Sequence, residues 1–227
     1  MSATTADERV ARTLTFYATT NGKKVVMAVT GFILFGFLLG HMAGNLQVFA
    51  GPEKLDEYAI HLRQLGPLLW VARIVILAAV VLHIWSSIQL WLLQRAARPV
   101  KYAKKKNEDS TYASRTMMWS GPIIAFFVIY HLMHFTWVVI PGNYEHLKPY
   151  ENIVYGFQQT PIALFYIATM LLLSLHLYHG LWSMFQSLGI ASPTYTPKLK
   201  LFAKAFTVLL AVGFISVPVS VMLGVVK

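Results

Sequence analysis

Histidine is the residue type through which this chain could do chemistry. Of its eight histidines, six (His41, His83, His131, His134, His176 and His179) fall inside long apolar runs. An ionisable side chain is costly in hydrocarbon, so a functional role is the default reading there. His131/His134 and His176/His179 are spaced i, i+3, so the members of each pair share a helix face and either one is a candidate ligand. The first four apolar runs carry at least one histidine each and the fifth carries none. Imidazole is the protein ligand common to many haem sites, and two histidines from facing helices bind one haem through both axial positions. Two such pairs would hold two haems. The competing reading for any one intramembrane histidine is a hydrogen bond between helices.

Other chemistries lack their residues. With no cysteine, the chain offers no thiolate to a haem or an iron–sulfur cluster and no disulfide. Neither a Gly-x-Gly-x-x-Gly loop nor a Walker-type phosphate loop occurs, so a nucleotide cofactor is not expected on this chain. No Asp or Glu falls within an apolar run, which leaves a carboxylate-based proton or sodium route without a carrier.

The elements that position the histidines follow from composition. The chain has 227 residues, 56% hydrophobic and 12% charged, about half the ~25% charged share of a soluble domain. Apolar runs at 25–49, 68–93, 117–140, 162–187 and 205–226 are each long enough to cross about 30 Å of hydrocarbon. A span must satisfy its own backbone in lipid, so all five are read as helices. The fold expected is therefore an all-α integral membrane protein: one domain, five transmembrane helices, the first four forming a ligand bundle and the fifth peripheral. Gly51-Pro52, Gly66-Pro67, Pro99, Pro141-Gly142, Pro161 and Pro193 to Pro197 punctuate the connections, which are read as short loops.

Charge orients the bundle. Arg9, Arg12, Lys23 and Lys24 precede the first span. Arg95, Arg98, Lys101, Lys104, Lys105, Lys106 and Arg115 lie between spans two and three, and Lys198, Lys200 and Lys204 between spans four and five. The opposite connections hold Glu53, Asp56, Glu57, Glu145 and Glu151 against Lys54, Arg63 and Lys148. The positive-inside rule then puts the N-terminus in the cytoplasm and the C-terminus outside, in a bacterial cytoplasmic membrane. Most of the +10 net charge is topological, through insertion and lipid headgroup contact, and does not point to nucleic acid.

Depth sorts the histidines. At ~1.5 Å per residue, His41 lies about 25 Å from Lys24 and His131 about 24 Å from Arg115, both toward the outside. His83 and His176 lie about 18 and 20 Å in from Arg95 and Gly189, nearer the cytoplasm. The small residues Gly40, Gly44, Ala79, Ser86, Ser87 and Gly180 flank these positions, giving clearance to a flat macrocycle or serving plain helix packing. His61 and His146 read as surface residues of the outer connections.

The segments NGKKVVMAVTGFILFGFLLGHMAGNLQVF, HLRQLGPLLW, HLMH and SLHLYHGLWSMFQSLG resemble the cytochrome b membrane-anchor subunit of succinate:quinone oxidoreductases and fumarate reductases, in its single-polypeptide, five-helix, two-haem type. The resemblance covers residues 12 to 226. It implies that His41 and His131 ligate the haem b distal to the cytoplasm, and His83 and His176 the proximal one. The spacing from His176 through Gly180 to Gly189 matches the family's ligand position and favours His176 over His179; the apolar approach to His131 favours it over His134. It also implies a flavoprotein with FAD and an iron–sulfur protein docked on the cytoplasmic face, with electrons passing through two haems to quinone, menaquinone in this type.

For the quinone or a haem propionate the outer region offers Asn45, His61, Arg63, Gln64 and Arg73, with Arg73 alternatively snorkelling to the headgroups. Tyr58 and Trp70 read as interface-belt aromatics. A fumarate reductase anchor, a haem-b anchor of formate dehydrogenase or hydrogenase, and a haem-free transporter with histidines bonding between helices share parts of this pattern.

Overall fold

The computed structural model describes residues 15–98, 100 and 110–227; Arg9, Arg12, Pro99, Lys101, Lys104, Lys105 and Lys106 lie outside the described residues. Five helices are long and apolar enough to span a membrane and no strand occurs among the described residues, so this is an all-α, multi-pass membrane protein.

The first span, α1 (Thr20–Asn45), starts five residues before the apolar run because Thr19 caps it, accepting from the Gly22 N–H at 2.9 Å. It runs on into a 3-10 turn over Leu46–Ala50. A short helix, α2 (Pro52–Gln64), leads to the second span, α3 (Pro67–Ala96). Gly51 and Gly66, at φ 100° and 53°, make the two turns on either side of α2, in backbone conformations that a side chain would strain.

The third span, α4 (Tyr112–His131), is capped by Thr111, whose hydroxyl accepts from the Ser114 N–H at 3.1 Å. Its last turn, Leu132–Thr136, is π-wound. The span stops there, short of the expected residue 140, and the chain turns through Val138 at φ 54°. A second short helix, α5 (Pro149–Gln158), precedes the fourth span, α6 (Thr160–Ser187). The fifth span, α7 (Thr196–Met222), starts well before the apolar run, with Pro197 in its first turn. Lys198, Lys200 and Lys204 are therefore helical, their stems able to lie on apolar surface.

Neither α2 nor α5 is a plain loop as the sequence reading expected. Each begins with proline and an acidic first-turn residue, Glu53 or Glu151, which suits a helix N-terminus. They lie on the same end of the bundle. The Tyr150 N–H donates to Asp56 Oδ1 at 3.1 Å, and the Tyr150 hydroxyl donates to the Lys227 carbonyl at 3.1 Å. Tyr58 lies so close to Gly44 that an added Cβ would fall 2.8 Å from its ring. This is the capped end. The opposite, basic end carries Lys24, Arg95, Arg115, Lys198, Lys200 and Lys204, while Lys23 folds inward onto the carbonyls of Tyr17 and Ala18 at 2.8 and 2.9 Å.

In lipid no hydrophobic drive holds helices together, so close packing of small residues must. The spans follow one another as α3, α1, α6, α4, with α7 against α6 and α1. Gly213 of α7 meets Met42 of α1 without room for a Cβ. The fifth span is thus the most buried, with 33% of its apolar window inside, and α3 the least, at 6%. The fifth span, expected to be peripheral, is therefore packed in, while α3 packs substantially on α1 alone. The larger core cluster, including Phe127, Phe157, Tyr166 and Val217, lies toward the capped end; a smaller one, Ala28, Leu181, Met184 and Ala203, lies toward the basic end.

Candidate functional site

Four of the six intramembrane histidines meet in two pairs. His41 on α1 and His131 on α4 have ring centroids 5.6 Å apart at an interplanar angle of 84°. His83 on α3 and His176 on α6 are 6.4 Å apart at 56°. Each pair joins helices that are second neighbours in the row α3, α1, α6, α4. The pairs occupy two tiers, the first toward the capped end and the second toward the basic end.

The basic-tier rings are held through Nδ1. His83 Nδ1 lies 3.1 Å from the Met27 carbonyl and 3.2 Å from Thr30 Oγ1. Thr30 also back-bonds to the Val26 carbonyl at 2.8 Å, so its hydroxyl is fixed on α1. His176 Nδ1 lies 3.3 Å from Ser120 Oγ on α4. A carbonyl can only accept, so His83 carries its proton on Nδ1, leaving the Nε2 lone pair for a metal.

In the capped tier, His41 stacks on Phe37 at 5.3 Å and 17° and tilts against Phe214 at 6.0 Å. The Asn45 amide donates to the His41 carbonyl at 2.7 Å, securing the last turn of α1. His131 stacks on Phe127 at 5.9 Å and reaches the Tyr166 hydroxyl through Nδ1 at 3.4 Å.

The two remaining histidines differ from these and from each other. His134 is 0% exposed, with Nδ1 bonded to the Tyr166 hydroxyl at 2.9 Å and Nε2 to the Tyr144 hydroxyl at 2.7 Å. Both of its nitrogens are engaged, which leaves none for a metal. The π-wound turn carries it off the face that bears His131 and toward α5, where Gly156 makes room; a Cβ there would sit 3.1 Å from the imidazole. His179 packs edge-on against Trp182 at 5.9 Å, and its Nδ1 is buried without a hydrogen-bond partner.

The other residues singled out in the sequence are placed less centrally. Arg73 is exposed, its guanidinium 5.0 Å from the Trp70 ring centroid, a cation–π pair at the membrane-facing surface. His61, Arg63 and Gln64 are exposed on α2. Of the flanking glycines, Gly40 and Gly180 have open space where a Cβ would stand, whereas Gly44 serves the docking of Tyr58.

Sequence reasoning missed the residues that orient the rings: Met27, Thr30, Ser120, Tyr144 and Tyr166. A hydroxyl near a histidine's depth on a neighbouring span was the available signal for Thr30, Ser120 and Tyr166. Tyr144 lies beyond the third span, and burial, together with Tyr130 and Tyr155, raises its pKa and keeps it a neutral hydroxyl, against a smaller opposing effect of Gln159.

Among the described residues no three His, Cys, Asp or Glu side chains converge on a bare metal ion. Two imidazoles alone would make an incomplete metal site, so a metal held by either pair would need a macrocycle or another donor to complete its coordination. With metal–nitrogen bonds near 2 Å, two trans imidazoles put their ring centroids about 6 Å apart. The basic-tier pair, at 6.4 Å, lies close to that spacing and the capped-tier pair, at 5.6 Å, somewhat inside it, and imidazole donors suit haem iron. Searches of protein-family models, curated proteins and solved structures find no match to this chain.

Proposed function

We propose that this chain is the haem-b membrane anchor of a succinate:quinone oxidoreductase, with one haem between His83 and His176 and a second between His41 and His131. The observation that carries the reading is the pairing itself: two histidine pairs, each from two non-adjacent spans, with ring centroids 5.6 and 6.4 Å apart. The sequence resemblance supplies the succinate and quinone assignment. When bound, each haem b supplies a one-electron carrier, and two tiers give a path across the membrane.

The protein's own work is to fix the ligands. Met27 and Thr30 hold the His83 ring, Ser120 holds His176, and the Phe37 stack and Asn45 hold the His41 turn. By the positive-inside rule the basic end faces the cytoplasm of a bacterial cell. There a flavoprotein with FAD and an iron–sulfur protein dock, while quinone, of the menaquinone class, reacts beneath the cap at the other end. Asn45 is the quinone or propionate candidate nearest the capped tier, because it is bonded to the histidine turn; Arg73 serves the headgroup region through Trp70.

The test is purification of the chain with its partners from native membranes, with subunit identification, haem-to-chain ratio and a reduced-minus-oxidised spectrum. Two b-type haems per chain and a co-purifying flavoprotein are expected. A spectrum without b-type haem overturns the reading in favour of histidines that only bond helices together. A molybdenum or nickel subunit in place of the flavoprotein assigns the anchor to a formate dehydrogenase or hydrogenase. Fumarate reduction outpacing succinate oxidation assigns the reverse physiological direction.

A further inference from the structure

The two tiers differ in how their Nδ1 atoms are held. In the basic tier the partners are local, a backbone carbonyl and two hydroxyls of neighbouring spans. In the capped tier a side-chain hydrogen-bond chain leaves His131 and continues out of the span. It passes from His131 to Tyr166 at 3.4 Å, from Tyr166 to His134 at 2.9 Å, and from His134 to Tyr144 at 2.7 Å. Gln159 then donates to the Tyr144 hydroxyl at 3.4 Å.

We infer that Tyr166 and His134 are positioning residues for the capped-tier ligand: the chain fixes the His131 imidazole, polarises its Nδ1–H and so sets the potential of the haem it holds. The inference rests on the haem reading proposed above.

The hydrogen count gives the chain one direction. A His131 that coordinates through Nε2 must carry its proton on Nδ1, and that N–H donates to the Tyr166 oxygen. The single Tyr166 O–H is then left to donate to His134 Nδ1. His134 consequently carries its proton on Nε2 and donates it to the Tyr144 oxygen, which also accepts from Gln159. Every link has one donor and one acceptor, and each acceptor strengthens the donor before it.

Burial makes the arrangement rigid. His134 is 0% exposed, and its ring lies 4.0 Å from Phe135 and against Gly156, so it has one position to occupy. Tyr166 is buried among Phe127, Tyr130, Phe135 and Phe157. A histidine present only to tie helices together would need Tyr144 and Tyr166, but would not need Tyr166 to face the His131 nitrogen as well. An acceptor on the remote nitrogen raises the basicity of an axial imidazole, which favours ferric iron and lowers the potential.

The experiment is redox potentiometry and low-temperature electron paramagnetic resonance on the full chain in its purified native complex. Wild type is read first: absence of haem refutes the function proposed above whatever Tyr166 does. The capped-tier midpoint is identified as the one lost in His131→Ala. Tyr166→Phe is expected to raise that midpoint by up to about tenfold in the oxidised-to-reduced equilibrium, about 59 mV for one electron, and to alter its ferric signal, with the other midpoint unchanged. Selective loss of the capped-tier haem supports the inference through ligand affinity. Tyr144→Phe, at the far end of the chain, shifts the same midpoint in the same direction by less. Both haems retained at wild-type midpoints in Tyr166→Phe overturns the inference. Where Tyr166→Phe does not accumulate, the Tyr144→Phe midpoint decides, and no shift there overturns it.

Discussion

Replacing His134 with alanine is expected to destabilise the folded chain by about 2–4 kcal/mol. The substitution removes a fully buried imidazole together with its bonds to Tyr166 at 2.9 Å and Tyr144 at 2.7 Å. Hydrogen bonds between membrane helices are worth roughly 0.6–1.7 kcal/mol each. The ring also loses its stack on Phe135 at 4.0 Å and its edge contact with Tyr144 at 4.8 Å, aromatic contacts worth about 0.5–1.5 kcal/mol. Tyr144 keeps the donation from Gln159, but the buried Tyr166 O–H loses its acceptor and keeps only what His131 donates to its oxygen, so the total cost lies toward the upper end of the expected range.

The control is His179→Ala. His179 Nδ1 has no hydrogen-bond partner and its ring contact is with Trp182 at 5.9 Å, so the cost should stay below about 1 kcal/mol. Thermal unfolding in detergent, followed by near-ultraviolet circular dichroism at matched haem content, reads both. At about 2–4 °C per kcal/mol for a chain of this size, His134→Ala should lower the midpoint by roughly 4–16 °C and His179→Ala by less than about 4 °C. Equal drops, or a larger one for His179→Ala, would refute the reasoning that paired nitrogens distinguish these two histidines.

Gly156→Ala places a Cβ 3.1 Å from an imidazole held on both sides, and should cost about 1–3 kcal/mol by overpacking in the same unfolding assay; no change would mean His134 can move. Asp56→Ala removes the acceptor of the Tyr150 N–H, for about 0.5–1.5 kcal/mol, and should speed hydrogen exchange across 149–158. Because α3 packs substantially on α1 alone, His83→Ala should remove one haem and quicken exchange in 67–96 more than in any other span; an even change across the spans would contradict this. The chain has no cysteine, so Lys54→Cys and Lys198→Cys are clean topology probes. In intact cells an impermeant maleimide should label the first and not the second, and the opposite pattern would invert the proposed orientation.

The five spans were legible because hydrocarbon thickness demands a minimum apolar length and lipid leaves helix as the solution. Span ends were less so, since Thr19 and Thr111 act through single capping bonds that hydropathy does not register. The helices α2 and α5 were hidden because their sequences are short and mixed, with Pro52 and Pro149 readable equally as turns and as helix starts. Depth counting brought His41 level with His131, and His83 level with His176, as the ring contacts have them. The i, i+3 spacing concealed the difference between His131 and His134, which comes from the winding of the helix and from tyrosines 10 and 32 residues further along. The closer packing of the fifth span comes mainly from α6, with Gly213 fitting against Met42 of α1, pairings that no single segment reveals.

The wide turn over Leu132–Thr136 acts as a change of phase within one helix. A π turn holds one residue more than the α turn it replaces, so every side chain beyond it is swung round relative to the face before it. Wound as α, three steps of roughly 100° would set His134 only about 60° round from His131; the wider turn carries it further, to its two tyrosines. His176 and His179, in unbroken α phase, have no such divider. One added residue thus lets two identical side chains, three apart, do unlike work: one is free to bind, and the other holds the frame.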